Sequence, residues 1–400
     1  MNTLTQLRFL TAGESHGPGL TAILEGMPAG LGLEPASING DLARRQRGFG
    51  SGGRMRIEQD RVRLTAGVMN GLTTGAPVAL YIENLDWEDW RDREVRPMTV
   101  PRPGHADLTG AIKYGYRELR LALERASARE TAARVAVGAV CRRLLREFDI
   151  SVGSYVVQIG HVIAALSDDL PYEERFALAE ENDVRCPDPT GAQGMHEAIR
   201  QAMARKDTLG GVFEVVATGL PPGLGSHVHW DRRLSGRLMM AVGSIQAIKG
   251  VEIGRGFENA ARFGTEVHDE IVIDDCLSGA GARTRLARTS NRAGGLEGGI
   301  TTGQPLLVRA AMKPISTTLT PLHSVDLASG EAAPTRYERS DVCAVPRAAV
   351  VGEAMVAVVL ADALLEKLGG DSLAEMRPRF AALRQGTLAD LEMDNVPWQL

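Results

Sequence analysis

The chain has 400 residues, of which 44% are apolar, 24% charged and only 4% aromatic, and its formal net charge is −5. That length can bury a large core, whereas the acidic balance and scarce aromatics argue against a nucleic-acid or membrane-surface binder. Cys141, Cys186, Cys276 and Cys343 are scattered with no Cys-x-x-Cys, which opposes a zinc site or a disulfide framework and suits a reducing cytoplasm.

Taken in chain order, residues 7–10 and 21–25 read as short strands flanking a Gly-Glu-Ser-His-Gly-Pro-Gly loop at 13–19. Residues 36–47 read as an arginine-rich helix. Residues 55–64 alternate as a strand does, with Met55, Ile57, Val62 and Leu64 as apolar members, and residues 78–83 form another strand. Residues 119–148 give the longest helical pattern, rich in alanine and able to pack closely. Residues 151–164 and 211–218 resemble strands separated by a polar stretch around 166–192. Residues 234–248 and 351–368 are helical, and 279–303 is so rich in Gly, Arg and Thr that loop is expected. No apolar run suits a signal peptide, and no segment is expected to span a bilayer. Strict strand–helix alternation is absent, so a single α+β domain over residues 1–400 is expected, with a C-terminal tail after about residue 370.

The densest chemistry lies in residues 102–131, with His105, Arg117, Arg120, Arg125, Ser127, Arg129 and Thr131 close together. Pro103 and Gly104 shape a loop that can hold one histidine against a ligand. The segment after it supplies guanidinium forks and hydroxyls suited to phosphate and carboxylate. A histidine beside such donors reads as acid–base chemistry on an anionic substrate; taken alone, the stretch reads equally well as a helix with a solvated basic face. Gly13-Glu14-Ser15-His16-Gly17 sets a serine beside a histidine but lacks the Gly-x-Ser-x-Gly elbow. A structural loop is its ordinary reading, although Gly13, Gly17, Pro18 and Gly19 suit the unusual backbone of functional loops.

Residues 48–53 match Gly-x-Gly-x-x-Gly, but a helix precedes them and a strand follows, the reverse of a dinucleotide site. That loop carries Arg44, Arg45, Arg47 and Arg54 toward an anion or else forms a solvated basic hairpin. The glycines of residues 290–302 free backbone N–H groups for phosphate or a planar ring, and Lys313 with Ser316, Thr317 and Thr318 adds a cation and three hydroxyls. No P-loop sequence exists. His227 and His229 lack a third ligand, so no metal site is expected. Asp341, within Arg339-Ser340-Asp341, reads in isolation as a cap or salt bridge.

Together these segments resemble the chorismate synthase family. The resemblance rests on Gly-Glu-Ser-His-Gly near the start, Leu-Glu-Arg-Ala-Ser-Ala-Arg-Glu-Thr in the middle and Arg-Ser-Asp near the end. Arg-Pro-Gly-His-Ala-Asp, Ser-Asn-Arg-Ala-Gly-Gly and Lys-Pro-Ile-Ser-Thr agree as well, and the likeness runs from about residue 7 to 368. It implies a β-α-β sandwich with antiparallel sheets around a helical core, generally as a cytoplasmic homotetramer.

The implied activity is a lyase reaction of the shikimate pathway, the anti-1,4-elimination of phosphate and a ring proton from 5-enolpyruvylshikimate 3-phosphate. Reduced FMN is required without net redox change, and some members reduce their own flavin with NADPH. By resemblance His16, His105 and Asp341 are catalytic. Arg125, Ala126, Ser127, Gln246, Ala247, Gly298, Lys313, Pro314, Ile315, Ser316, Thr317 and Arg339 would line the flavin site. Arg45, Ser51 and Arg129 fall at substrate or nicotinamide-phosphate positions, Ser51 standing where many members carry arginine. The rival readings are a flavin oxidoreductase, which would consume nicotinamide stoichiometrically, and a non-catalytic anion-binding module, which leaves His16, His105 and Asp341 without a role.

Overall fold

A computed structural model describes residues 4–51, 59–274, 285–338, 340–391 and 393–399. Alternating side chains build the first sheet from β1 (Arg8–Ala12), β2 (Gly19–Glu25), β3 (Val62–Ala66) and β4 (Val78–Glu83), antiparallel throughout in the order β1-β2-β4-β3. In β4, Val78, Leu80 and Ile82 are buried while Ala79 and Tyr81 are not, so one face of the sheet turns to the core. The second sheet comprises β5 (Ser151–Ile159), β6 (Val162–Ile163), β7 (Gly211–Thr218), β8 (Ile248–Ile253) and β9 (Leu306–Met312), antiparallel in the order β8-β9-β7-β5-β6.

The helices that matter for the site are α1 (Pro35–Gln46), α2 (Asp107–Tyr114), α3 (Arg120–Ala126), α4 (Thr131–Arg146), α5 (Leu234–Gly243) and α6 (Val345–Leu368). Helix α4 packs on β2 and β4, α6 packs on β5 and β7, and α4 and α6 pack on each other. Helix α1 leans on both, and α5 bridges α6 to β8. The result is sheet, helices, sheet, an α+β sandwich whose buried side chains from both sheets and the helices form one cluster. The second sheet is also covered outside, where Tyr155 and Val157 meet Tyr172 and Phe176 of the helix Tyr172–Glu180. Burial on both faces explains why β5 lacks the simple alternation of β4.

Close approach of α4 and α6 depends on Gly138. A Cβ there would stand 2.3 Å from the Ala354 Cβ and 2.4 Å from its Cα. Gly138→Ala is therefore expected to cost about 1–3 kcal/mol through overpacking, read as a lower urea midpoint. An unchanged midpoint would mean that the helices separate without loss.

Several sequence expectations are corrected. The pattern over 119–148 is not one helix: the chain leaves α3 at Ser127, which is extended (φ −61°, ψ 141°), makes a single 3-10 turn over Ala128–Glu130 and only then enters α4. Helix α5 ends at Gly243, and Ile248 already belongs to β8. Helix α6 begins at Val345, six residues before the expected start, with Pro346 in its first turn. The polar stretch 166–192 contains the helix Tyr172–Glu180 and the start of Pro189–Ala204. Of the expected strand over 55–64, residues 55–58 lie outside the described residues, and β3 starts at Val62. Within 279–303, residues 279–284 also lie outside; the rest includes the strand Arg285–Arg288 and a short hairpin of Leu296–Glu297 with Ile300–Thr301.

Helix α6 is, by length and composition, apolar enough to cross a membrane, contrary to expectation. Here its apolar stretch is wholly buried. An all-round apolar surface is what a helix needs when a sheet and three helices surround it. It also carries Asp362, whose carboxylate accepts from the backbone N–H groups of Thr5, Gln6 and Leu7 at 3.0, 2.7 and 2.7 Å and pairs with Arg237. This buried anion pins the start of β1 to the core.

Candidate active site

A cavity of about 510 Å³ opens among the β1–β2 loop, the loop before α2, the α3–α4 junction, the turn after α5, the segment after β9 and the start of α6. Gly13 makes the first loop feasible: at φ +117° a Cβ would meet the Gly19 carbonyl oxygen at 2.4 Å. The loop is then tied across the molecule, because Ser15 N–H donates to the Glu124 carbonyl at 3.1 Å and Asn84 donates to the Gly17 carbonyl at 2.7 Å. His16, on the cavity wall, has Nδ1 2.8 Å from Glu124 Oε1, and Trp90 packs on its ring at a centroid distance of 4.2 Å. Burial opposes ionisation of Glu124, but the bonds with His16 and the charge of Arg120 outweigh it and hold the carboxyl below its usual value.

His105 repeats the arrangement. Its Nδ1 lies 2.6 Å from Oδ1 of the fully buried Asp107. Arg102 donates to both oxygens of that carboxylate, at 2.8 and 3.0 Å, and to the Thr317 hydroxyl at 3.2 Å. Against the cost of burial, these donors drive the Asp107 carboxyl far below the ordinary carboxylate range. His105 is thus held by a buried anion that stays charged.

The break at Ser127 brings its hydroxyl to the cavity, where it accepts from Ser15 Oγ at 3.1 Å and from the Arg129 N–H at 3.3 Å. Behind it, buried Asp60 is shared by Arg129 at 2.5 Å and Arg45 at 3.3 Å. Arg45 also donates to Thr131 Oγ1 at 3.0 Å and the Ala128 carbonyl at 2.9 Å. Burial, opposed by Asp60 and reinforced by Arg347 and Arg129, pushes Arg45 down to about 9, so it remains a cation at neutral pH. Two buried guanidiniums thus share the Asp60 carboxylate at this wall.

Across the cavity, Gln246 donates to Glu130 at 3.3 Å while its Oε1 is buried without a hydrogen-bond partner among the described residues. Ala247 sits in the left-handed region (φ +66°) and its carbonyl accepts from Lys313 N–H at 3.0 Å. Burial and the charge of Lys249 push the Lys313 ammonium down. Ile315, Ser316 and Thr317 complete this wall, whereas Pro314 is exposed and does not line it. Asp341, at the start of α6, pairs with Arg347, which also donates to the Arg45 carbonyl at 3.1 Å.

The structure therefore brings together His16, His105, Asp341, Ala126, Ser127, Arg45, Arg129, Gln246, Ala247, Lys313, Ile315, Ser316 and Thr317. Besides Pro314, three others lie elsewhere. Arg125 is exposed and donates to Thr11 of β1, at 2.9 Å to its carbonyl and 2.8 Å to its hydroxyl. Gly298 turns the short hairpin between Leu296–Glu297 and Ile300–Thr301. Ser51 caps its own loop through a 2.6 Å bond to the Gly48 carbonyl. Arg339 and Arg54 lie outside the described residues. Sequence reasoning missed Trp90, Arg102, Asp107, Glu124, Asp60 and Arg347. Arg102 and Asp107, three and two residues from His105 in the Arg-Pro-Gly-His-Ala-Asp segment, had a local signal, and Arg347 lies six residues from Asp341; Trp90, Glu124 and Asp60 join the site through contacts distant in sequence.

Acid–base groups and anion donors converging in one cavity define an enzyme. Comparison with known proteins gives the family. The chorismate synthase family profile matches residues 7–365. The chorismate synthase of Trichlorobacter lovleyi is 55% identical over 93% of this chain and 97% of its own length, and that of Aquifex aeolicus is 54% identical over 94% and 97%. A crystal structure of chorismate synthase matches with a TM-score of 0.77 at 48% identity, covering 94% of this chain and 97% of that one. The chain belongs to the chorismate synthase family. It is accordingly a lyase of aromatic amino-acid biosynthesis.

Proposed function

We propose that the cavity binds reduced FMN with 5-enolpyruvylshikimate 3-phosphate and catalyses the anti-1,4-elimination of phosphate and a ring proton that yields chorismate, in a cytoplasmic homotetramer. The observation that carries this reading is the pairing of two histidines, each set on a carboxylate, with a wall of cations in one cavity.

The residues present fit a flavin. Leu123, Ala126, Ile245 and Met312 offer apolar surface for a planar ring. The Oε1 of Gln246, without a partner among the described residues, offers an acceptor to a ring N–H, relieving a buried polar atom that otherwise costs about 1–3 kcal/mol. Lys313, Ser316 and Thr317 supply a cation and hydroxyls suited to phosphate. Ser127 and Ala247 complete the set that would hold the cofactor. When bound, the reduced flavin supplies transient electron density that helps the allylic phosphate leave, and recovers it afterwards.

The chain's own side chains do the rest. His16 gives a proton to the departing phosphate oxygen. His105, braced by Asp107, would hold a proton beside the bound flavin. Asp341, oriented by Arg347, accepts a proton. Arg45 and Arg129 hold the substrate's anionic groups, each charge-assisted contact contributing roughly 1.5–3 kcal/mol. Exclusion of water strengthens all of these contacts.

Anaerobic phosphate release from 5-enolpyruvylshikimate 3-phosphate, with and without chemically reduced FMN, tests the reading. Release with chorismate formation is expected only with reduced flavin and without its net oxidation. Turnover that consumes nicotinamide stoichiometrically would mark an oxidoreductase, and silence from folded, flavin-binding protein would favour a binding module.

A further inference from the structure

We propose that Glu124 is the positioning residue of His16, fixing its ring so that Nδ1 donates to the carboxylate and Nε2 faces the substrate. The proposal rests on the reading of His16 as the acid and adds a residue to it.

The grip is two-pronged. Oε1 lies 2.8 Å from the ring Nδ1, and Oε2 accepts the backbone N–H of the same residue at 2.8 Å. The Glu124 carbonyl takes the preceding N–H, of Ser15, at 3.1 Å. One residue of α3 therefore fixes both the backbone and the ring of the loop. An ionised carboxylate has no hydrogen to donate, so the hydrogen of this bond belongs to Nδ1 and Nε2 is the remaining site for proton transfer. Trp90 packs on the ring at a centroid distance of 4.2 Å. Its indole is itself held by a 3.1 Å bond to the buried Asp86.

The charges facing this pair are few. Arg120, one turn earlier on α3, favours the ionised form of Glu124. Asp86, Asp89 and Arg93 come from the segment that carries Trp90, Glu338 lines the mouth beside Trp90, and exposed Glu14 shares the loop. Glu124 is the one in hydrogen-bond contact with the imidazole. Ring and carboxylate therefore act as one unit, and removing the carboxylate charge is expected to show in proton transfer to the phosphate.

The test is the pH profile of anaerobic phosphate release, with reduced FMN and 5-enolpyruvylshikimate 3-phosphate, for the wild type, Glu124→Gln, Glu124→Asp and His16→Ala. In Glu124→Gln, kcat is expected to fall on the order of 10-fold or more with KM little changed. The alkaline limb should move to lower pH, because the carboxylate charge beside the ring is gone. Glu124→Asp keeps the charge and should return the limb to its wild-type position. Adding Glu124→Gln to His16→Ala should slow the enzyme no further, since the two act through one group.

If Glu124→Gln shows the wild-type kcat and limb while His16→Ala is slow, His16 remains the acid and the positioning role is overturned. A Glu124→Asp variant as shifted as Glu124→Gln would overturn the charge argument as well. A His16→Ala enzyme running at the wild-type rate would instead remove the reading on which the proposal rests. Flavin titration of each variant checks the fold, and if Glu124→Gln fails to bind flavin the profile of Glu124→Asp decides alone: a wild-type limb supports the proposal and a shifted one overturns it.

Discussion

Replacing His16 with alanine is expected to leave flavin binding in place while slowing phosphate release by on the order of 10²–10⁴-fold, the usual contribution of a positioned acid. The retained binding follows from geometry: Gln246, Ala247, Lys313, Ser316 and Thr317 form the opposite wall and do not depend on the β1–β2 loop. The loss of rate follows from charge. Phosphate leaves more readily when its bridging oxygen is protonated, and Nε2 of His16 is the free nitrogen of a ring whose other nitrogen is already committed to Glu124. The effect should fall on kcat, because the anion contacts of Arg45 and Arg129 remain for binding. Rapid-quench phosphate release beside a flavin titration separates the two quantities. Wild-type release would remove His16 from the mechanism.

The largest stability effect is expected at Glu353, in the middle of α6. This fully buried carboxylate accepts from Arg44 at 2.7 Å on each oxygen and from Ser154 Oγ at 2.6 Å, with Arg142 at 3.2 Å and Arg185 at 3.3 Å. Asp41 and Glu180 complete the balance by pairing with the same arginines. Glu353→Gln removes the central anion and leaves buried guanidiniums undercompensated, which typically costs about 3–5 kcal/mol. Urea unfolding at neutral pH reads the loss; a midpoint within error of the wild type would show that water or rearrangement absorbs the charge.

The same network sets a pH window. Burial works against ionisation of Glu353, but the three arginines outweigh it and hold the carboxyl down to about 2, from an ordinary value of 4.5. A folded value below the unfolded one stabilises the protein above about pH 4.5, and that contribution is lost as pH falls toward 2. The difference amounts to about 3 kcal/mol. Wild-type stability should therefore decline through that window more steeply than the Glu353→Gln variant.

Much of this could be read from local pattern. Strands β4 and β7 occupy the residues that alternation and β-branched content indicated, because a run of Val and Ile between turn residues has few other places to go. The glycine loops, the histidines and the cluster around residues 102–131 marked acid–base chemistry on an anion before any contact was known. What pattern could not show is which side chains meet. Arg125 and Ser127 are two residues apart, yet one reaches Thr11 and the other the cavity, because successive helical residues point about 100° apart and the chain then leaves the helix at Ser127.

The alanine-rich sequence around that break carries no helix stop. The extended Ser127 is held by bonds to Ser15, Arg129 and, through Ala128, to Arg45. Likewise Glu124 reaches His16 across 108 residues and Arg44 reaches Glu353 across 309. The amino-acid sequence alone determined strands such as β4 and β7, the anionic chemistry and the family likeness, since each is written in neighbouring residues. The tertiary structure alone decided the carboxylate behind His16, the shared counter-ion of Arg45 and Arg129 and the burial of α6. Those depend on packing between elements far apart in the chain, which local periodicity does not encode.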